Sequence, residues 1–230
     1  MAPSADSPTV ITSNGSTFPL NSPRKQTNST GPGYRGYHHV TWYVGNAKQA
    51  ASYFVTRMGF KVIARKGLET GSRCVASHVV TNGTVCFDLV SPIRSSENLR
   101  EAVSPADIKL LNEIHAHLTK HGDAVKDVAF EVDDVEAVYR KAVSKGAKSI
   151  QEPTTLRDEN GAVVMATIQT FGNTNHTLID RLRYRGIFLP GYQRVTAEDP
   201  LAKFLPPIDL EAMDHCVGNQ DWNQLEEICE

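Results

Sequence analysis

Short runs of β-branched and aromatic residues alternate along the chain with stretches in which apolar residues recur at helical spacing. The first run, residues 37–44, predicts a strand. The next stretch predicts a helix that starts after a plausible N-cap at Asn46 and stops at Gly59. Its apolar face contains Ala47, Ala50, Ala51, Phe54, Val55 and Met58. Three more strands are predicted, at 60–65, 73–81 and 84–90. The last two are joined by Asn82-Gly83, a strong hairpin signal.

The same β-α-β-β-β order recurs further along the chain. Between the two units, residues 92–100 predict a loop, and a connecting helix is expected from the Ser104 cap, with Pro105 at its first position, to Gly122. The second unit opens with a strand at 125–132. A helix follows, capped by Asp133 or Asp134 and ended by Gly146. Its remaining strands are predicted at 148–152, 163–170 and 177–181, with turn chemistry at 158–161.

A third opening of the same kind lies at residues 208–220. Spacings of 88 residues separate His39 from Asp127 and Asp127 from His215, and such regularity is typical of an internal repeat. We therefore predict an α+β fold of two βαβββ modules, followed by the first strand of a third module. With its partner strands absent, that last strand is expected to be poorly anchored.

The predicted boundaries follow from these patterns and from composition. Residues 1–33 consist mostly of Ser, Thr, Pro, Gly and Asn, and predict a disordered tail. We expect the paired modules at 34–185, an irregular apolar linker at 186–207, and the truncated start of a catalytic domain at 208–230.

Charge and cysteine content narrow the functional classes. A net charge of −2 favours neither nucleic acid nor an acidic membrane surface as a partner. The chain contains no apolar run of the ~20 residues that span a bilayer, and no secretory signal is recognisable. Four cysteines without a CxxC pair indicate reduced thiols rather than a disulfide framework or a zinc site. We expect a cytoplasmic protein.

Three segments, in the right order, carry a resemblance to a known family. They are HGDAVKDVAF (121–130), GIFLPG (186–191) and DHCVGNQ (214–220). With the paired modules, they make residues 36–230 resemble the 4-hydroxyphenylpyruvate dioxygenases of the vicinal oxygen chelate superfamily. In that superfamily, two such modules close a curved sheet into a cup.

The resemblance implies an enzyme of tyrosine and phenylalanine catabolism that uses Fe(II). Its substrates would be O₂ and a 2-oxo acid, 4-hydroxyphenylpyruvate, and its products homogentisate and CO₂. Two histidines and a glutamate hold the iron in that family, and His215 matches the first histidine. The other two ligands lie in the family's C-terminal half, so one of three expected ligands is present. Turnover by these 230 residues alone is therefore not expected.

Two other groups of side chains suggest different sites. His39 and Asp127 occupy repeat positions equivalent to His215, and Asp180 lies in a closing strand, so the three are a second candidate metal set. Three histidines, His115, His117 and His121, cluster on the connecting helix, where a solvated helix end is the expected interpretation.

Two smaller groups of side chains have both a structural and a functional interpretation. Arg181, Arg183 and Arg185 either bind an anion or are solvated, whereas Cys74 and Cys86 are expected to be buried apolar residues.

For the chain as a whole, the alternatives to a dioxygenase are a catalytically silent scaffold for binding or homo-oligomerisation and a fragment similar to hydroxymandelate synthase.

Overall fold

The computed structural model describes residues 33–95, 103–219 and 222–223. Nine strands form one sheet in the order β6-β7-β8-β5-β1-β4-β3-β2-β9. The strands are β1 Tyr34–Tyr43, β2 Lys61–Lys66, β3 Val75–Asn82, β4 Val85–Pro92, β5 Ala124–Val132, β6 Ser149–Asp158, β7 Gly161–Gln169, β8 Asn175–Asp180 and β9 Gln193–Arg194. The helices are α1 Ala47–Met58, α2 Pro105–His121 and α3 Val135–Ser144.

The two predicted modules are confirmed and lie side by side in this sheet. The first is β1-α1-β2-β3-β4 and the second is β5-α3-β6-β7-β8. Each opening strand pairs in parallel with the closing strand of its own module, β1 with β4 and β5 with β8. The two opening strands pair with each other, antiparallel, in the middle of the sheet. The repeat in the sequence therefore becomes a repeat in strand pairing.

The helix boundaries follow the predicted capping residues. The side chains of Asn46, Ser104 and Asp134 accept hydrogen bonds from the first turns of α1, α2 and α3. At the end of α1, Gly59 adopts the left-handed conformation with a φ of 69°. Local chemistry is thus enough to explain where these helices begin.

Neighbouring residues in the strands pack on opposite faces of the sheet. Val80 and Leu89 pack against α1 on one face, and Leu178 packs against α3. The opposite face, here called the inner face, carries Ala64, Val79, Ala129, Val163 and Ile179, all fully buried. Within the described ranges, no helix is long and apolar enough to cross a membrane.

The stretch predicted to be a linker, 186–207, contributes to the core of the domain. Phe188 is 2% exposed and Leu189 is 8% exposed, and both pack on the inner face. Gln193–Arg194 forms the edge strand β9 beside β2. Residues 186–194 are therefore packed onto the modules.

The prediction of a strand near residue 208 is wrong, because no strand forms at residues 208–219. The backbone there bonds to the β3–β4 hairpin instead of to a strand partner. Asn82 Nδ2 donates to the Ile208 carbonyl at 2.8 Å, and Leu210 N donates to Asn82 Oδ1 at 3.1 Å. Thr84 N and Oγ1 both donate to the Glu211 carbonyl.

The expectation that this piece is poorly anchored is also wrong for its first part. Besides these hydrogen bonds, Leu210 and Met213 pack against the α1 core. The predicted tail at 1–33, except Gly33, lies outside the described residues, as do residues 96–102, which include part of the predicted loop at 92–100, and most of 220–230.

Candidate metal centre and the inner face

His215 lies on the exposed segment that follows the docked residues 208–213. Its side chain is 69% exposed, and Nδ1 lies 2.7 Å from Oδ2 of the adjacent Asp214, which is 95% exposed. In the parts of the chain that the structure covers, no three His, Cys, Asp or Glu side chains are grouped to hold a metal ion. The described residues therefore do not fit a site of two histidines and one carboxylate.

The second candidate metal set is not brought together. In the β1–β5 register, His39 lies opposite Ala129 while Asp127 lies opposite Thr41, so the equivalent repeat positions are offset by two residues. Asp180 accepts a hydrogen bond from the backbone N of Leu182 at 2.9 Å and serves as a local turn cap. The hypothesis of a site formed by His39, Asp127 and Asp180 is wrong because antiparallel pairing staggers its members.

His39 is instead an aromatic core residue. It is 4% exposed, and its ring meets that of Phe188 edge-on with 4.8 Å between centroids. Its Nδ1 lies 2.6 Å from Nδ1 of His38. Burial lowers the pKa of His39 to about 3, so the ring is neutral at physiological pH.

Two carboxyl groups are buried within the sheet. Asp127 accepts a hydrogen bond from Thr177 Oγ1 at 2.9 Å, and burial raises its pKa to about 7. Asp88 accepts hydrogen bonds from Ser77 Oγ and, at 2.7 Å, from the Tyr192 hydroxyl. Burial raises the pKa of Asp88 to about 6 despite these donors.

Asp88 and Tyr192 form a pair that sequence reasoning missed. The available signal was the single acid in the apolar run VCFDLV of β4, which a burial argument would have flagged. Its partner, Tyr192, lies 104 residues away and has no local signature. The pair joins the segment after β8 to the first module.

The segment 186–192 occupies the inner face of the sheet. Phe188 lies against the rings of His38, His39 and Tyr192, with centroid distances of 4.8–5.6 Å. Arg181 Nη2 donates to the Gly186 carbonyl at 3.0 Å and so holds the start of this segment. The inner face is thus covered by side chains of the chain's own segment 186–192. The guanidinium group of Arg181 is therefore bound to the backbone of this segment rather than solvated.

The three histidines on α2 have different environments. His115 Nε2 lies 3.2 Å from the Arg94 carbonyl, and His121 is exposed. His117 is only 7% exposed, so the prediction of a solvated helix end is wrong for this residue. It faces Tyr43 of β1, with ring centroids 5.3 Å apart, because α2 packs against the opening strand.

The described cysteines are free thiols, and two of them are packed in the core. Cys74 is 2% exposed, and Cys86 packs on the inner face. Burial raises the pKa of Cys86 to about 12. The burial of both cysteines confirms their expected apolar role, and the raised pKa of Cys86 disfavours formation of its thiolate.

Comparisons with known proteins agree with this architecture. The model of the glyoxalase/bleomycin resistance protein/dioxygenase superfamily matches residues 36–176. The chain is 56% identical to 4-hydroxyphenylpyruvate dioxygenase of Aspergillus fumigatus over 209 residues, 90% of this chain and 52% of that protein. It is 55% identical to the enzyme of Coccidioides posadasii over 230 residues, 100% of this chain and 54% of that protein. The chain spans about half the length of the curated relatives it matches.

A solved structure is similar in fold over much of this chain. A mutant of 4-hydroxymandelate synthase from Streptomyces coelicolor superposes with a TM-score of 0.52 and 26% identity. The superposition covers 74% of this chain and 43% of that one. The paired modules of this chain therefore have a counterpart in a longer solved protein.

Proposed function

Because the chain belongs to the glyoxalase/bleomycin resistance protein/dioxygenase superfamily and is homologous to 4-hydroxyphenylpyruvate dioxygenases over about half their length, we propose that it forms the N-terminal half of such an enzyme, in which its paired modules are non-catalytic. The observation that carries this proposal is the 55% identity to the Coccidioides posadasii enzyme across the whole chain. The filled inner face supports a non-catalytic role for the paired modules, since Phe188 and Tyr192 pack against its buried side chains.

In the proposed whole enzyme, the reaction converts 4-hydroxyphenylpyruvate and O₂ to homogentisate and CO₂ at an Fe(II) centre. His215 is proposed as one ligand, because it lies in the DHCVGNQ segment and its imidazole is exposed. The described residues alone do not fit the iron, since one imidazole beside one exposed carboxylate lacks the required donor set. No step of the reaction is assigned to them.

The proposed compartment is the cytoplasm. Cys74, Cys86 and Cys216 are free, which supports a reducing environment.

A second candidate function is a catalytically silent scaffold that binds a partner or self-associates. The specific observation in its favour is again the inner face, which holds core side chains where the superfamily's cup would be open. A function close to hydroxymandelate synthase has weaker support, because identity to that protein is 26% against 56% for the Aspergillus fumigatus dioxygenase.

A chimera distinguishes these functions. Residues 1–230 would replace the matching region of the Aspergillus fumigatus dioxygenase, and homogentisate formation would be measured. We expect an active enzyme that loses activity on His215→Ala and keeps it on His115→Ala, the matched control. An inactive, well-folded chimera would favour the scaffold, and full activity of the His215→Ala chimera would refute the ligand assignment.

A further inference from the structure

Asn82 is the side chain through which the first module holds the later part of the chain. It lies at the end of β3 and is 9% exposed. Its Nδ2 donates to the Met58 carbonyl at the end of α1, at 3.0 Å, and to the Ile208 carbonyl, at 2.8 Å. Its Oδ1 accepts from Leu210 N at 3.1 Å. The amide nitrogen and the amide oxygen of Asn82 are therefore both bonded, and one side chain ties α1 to the later chain.

Further contacts continue this attachment towards His215. Thr84 N and Oγ1 donate to the Glu211 carbonyl at 3.0 and 2.9 Å. Met213 then packs against the α1 core. The segment 208–213 is thus held by side-chain, backbone and apolar contacts, although it forms no strand.

The chain is also held on the other side of His215. The Cys216 thiol donates to the Met213 thioether at 3.5 Å, and this contact spans His215. The Tyr37 hydroxyl of β1 lies beside Cys216. Burial raises the pKa of Tyr37, the Cys216 thiol raises it further, and the Cys216 backbone N–H lowers it. Contacts before and after His215 therefore hold its backbone, while its imidazole is exposed.

The second module offers a comparison. Its turn between β6 and β7 is also Asn-Gly, at Asn160 and Gly161. A later segment approaches this turn through the backbone, since Arg185 N donates to the Asn160 carbonyl at 2.9 Å. Asn160 is exposed, and its side chain interacts with Asp158 of its own turn. The side-chain clamp is therefore a property of Asn82 and not of Asn-Gly turns in general.

We propose that Asn82 is a positioning residue, which through residues 208–213 fixes the place of the His215 imidazole relative to the first module. This inference rests on the proposed function, in which His215 is a metal ligand. It gives the non-catalytic modules a task in the proposed enzyme, because a side chain that is already ordered loses less conformational entropy when it binds. Asn82 acts only through the chain that it holds.

NMR on the 230-residue chain tests the attachment without iron or substrate. The order parameter of the His215 backbone amide is measured together with hydrogen exchange of the Leu210 amide, which donates to Asn82. We expect a His215 order parameter near the rigid value of about 0.85, falling below about 0.6 in Asn82→Ala. Exchange of the Leu210 amide should become at least about tenfold faster.

Two further variants separate the clamp from folding. Asn82→Asp has the same shape and keeps the acceptor for Leu210 N, but it lacks the Nδ2 donor to the Met58 and Ile208 carbonyls. It should lower the order of His215 as Asn82→Ala does, without leaving a cavity. Asn160→Ala is the matched control and should change neither measurement.

The chimera with the Aspergillus fumigatus dioxygenase tests the consequence for the proposed enzyme. With Asn82→Asp, the Fe(II) concentration that gives half-maximal homogentisate formation should rise at least about fivefold. The KM for 4-hydroxyphenylpyruvate at saturating Fe(II) should change less than about twofold. A general loss of folding would change both quantities and would lower the melting temperature relative to Asn160→Ala.

The outcomes against the proposal are distinct from those against the proposed function. Unchanged His215 order and Leu210 exchange in both Asn82 variants would refute the attachment. A mobile His215 with an unchanged Fe(II) requirement in the chimera would refute the positioning role. An inactive chimera without substitutions would count against the proposed function, and NMR of the 230-residue chain would still decide whether Asn82 fixes His215.

Discussion

The two buried carboxyl groups flank one residue of the central strand. Thr41 of β1 pairs with Asp88 on one side and with Asp127 on the other. Burial raises the pKa of Asp88 to about 6 and that of Asp127 to about 7, so each is partly protonated near neutral pH. A raised pKa in the folded state means that the protonated form stabilises the fold.

Asp127→Asn is expected to stabilise the protein at high pH. The stability that protonated Asp127 contributes is fully present below pH 3.8, its ordinary pKa, and is lost as pH rises through about 7. Asparagine stays neutral and still accepts from Thr177. The free energy of unfolding at pH 8 should therefore rise by on the order of 2 kcal/mol, with little change at pH 4. Urea denaturation at a series of pH values measures both quantities.

The matched control is Asp209→Asn, which changes an exposed carboxyl group. It should leave the free energy of unfolding unchanged at both pH values. An Asp127→Asn effect of equal size at pH 4 and pH 8 would refute the assignment of a raised pKa to this carboxyl group.

At the scale of elements, the segment 208–211 depends on the β3–β4 hairpin turn. Gly83, with a φ of 58°, packs against the Leu210 carbonyl. A Cβ atom added to residue 83 would overlap the oxygen of that carbonyl. Gly59 also contacts this segment, since a Cβ atom there would lie 2.7 Å from the Ile208 carbonyl. Both glycines therefore have a second role besides turn geometry, which is to let the later chain approach.

Gly83→Ala should displace residues 208–211 from the hairpin. We expect a loss of about 2–3 kcal/mol in stability, from strain at positive φ and from lost docking. Cleavage between residues 208 and 219 in limited proteolysis should become faster. Gly71→Ala is the matched control, because Gly71 has a φ of 86° but a Cβ atom added there would meet nothing within 4 Å. Equal proteolysis of the two variants would argue against docking at Gly83.

Residues 186–192 are the second segment whose packing against the modules can be tested by mutation. Phe188→Ala should cost about 3–5 kcal/mol of unfolding free energy, because its ring is 2% exposed and fills the inner face. Phe204→Ala removes the same side chain where it is 76% exposed, and should change stability by less than about 0.5 kcal/mol. Thermal and urea unfolding compare the two. Similarly small losses of unfolding free energy in both variants would mean that residues 186–192 do not pack stably on the inner face.

At the scale of the whole molecule, the two modules were predictable because their signals are local. The Asn46 cap, Gly59 and the Asn82-Gly83 turn specify element boundaries by short-range chemistry. The filling of the inner face by Phe188, the docking of 208–211 and the burial of His117 depend on contacts between distant parts of the chain. The hydrophobic pattern carries no direct record of such contacts, so those features were missed or wrongly predicted.

The absence of a metal set at His39, Asp127 and Asp180 has the same origin. Equal spacing along the chain placed His39 and Asp127 in equivalent opening strands, and Asp180 was added from a closing strand, but the antiparallel pairing of β1 with β5 determines which residues face each other. The paired modules are therefore proposed not to form a catalytic centre, and His215 is proposed as the one ligand that the described residues offer to iron.

Turnover by the purified 230-residue chain is the decisive measurement of whether the paired modules are catalytic. O₂ consumption and homogentisate formation are measured with 4-hydroxyphenylpyruvate, Fe(II) and a reductant. We predict no turnover above the protein-free control, because a facial set of three ligands cannot be assembled from the described residues. Iron-dependent turnover that is lost on His39→Ala and kept on His215→Ala would refute the ligand role of His215 and place the active site on the inner face.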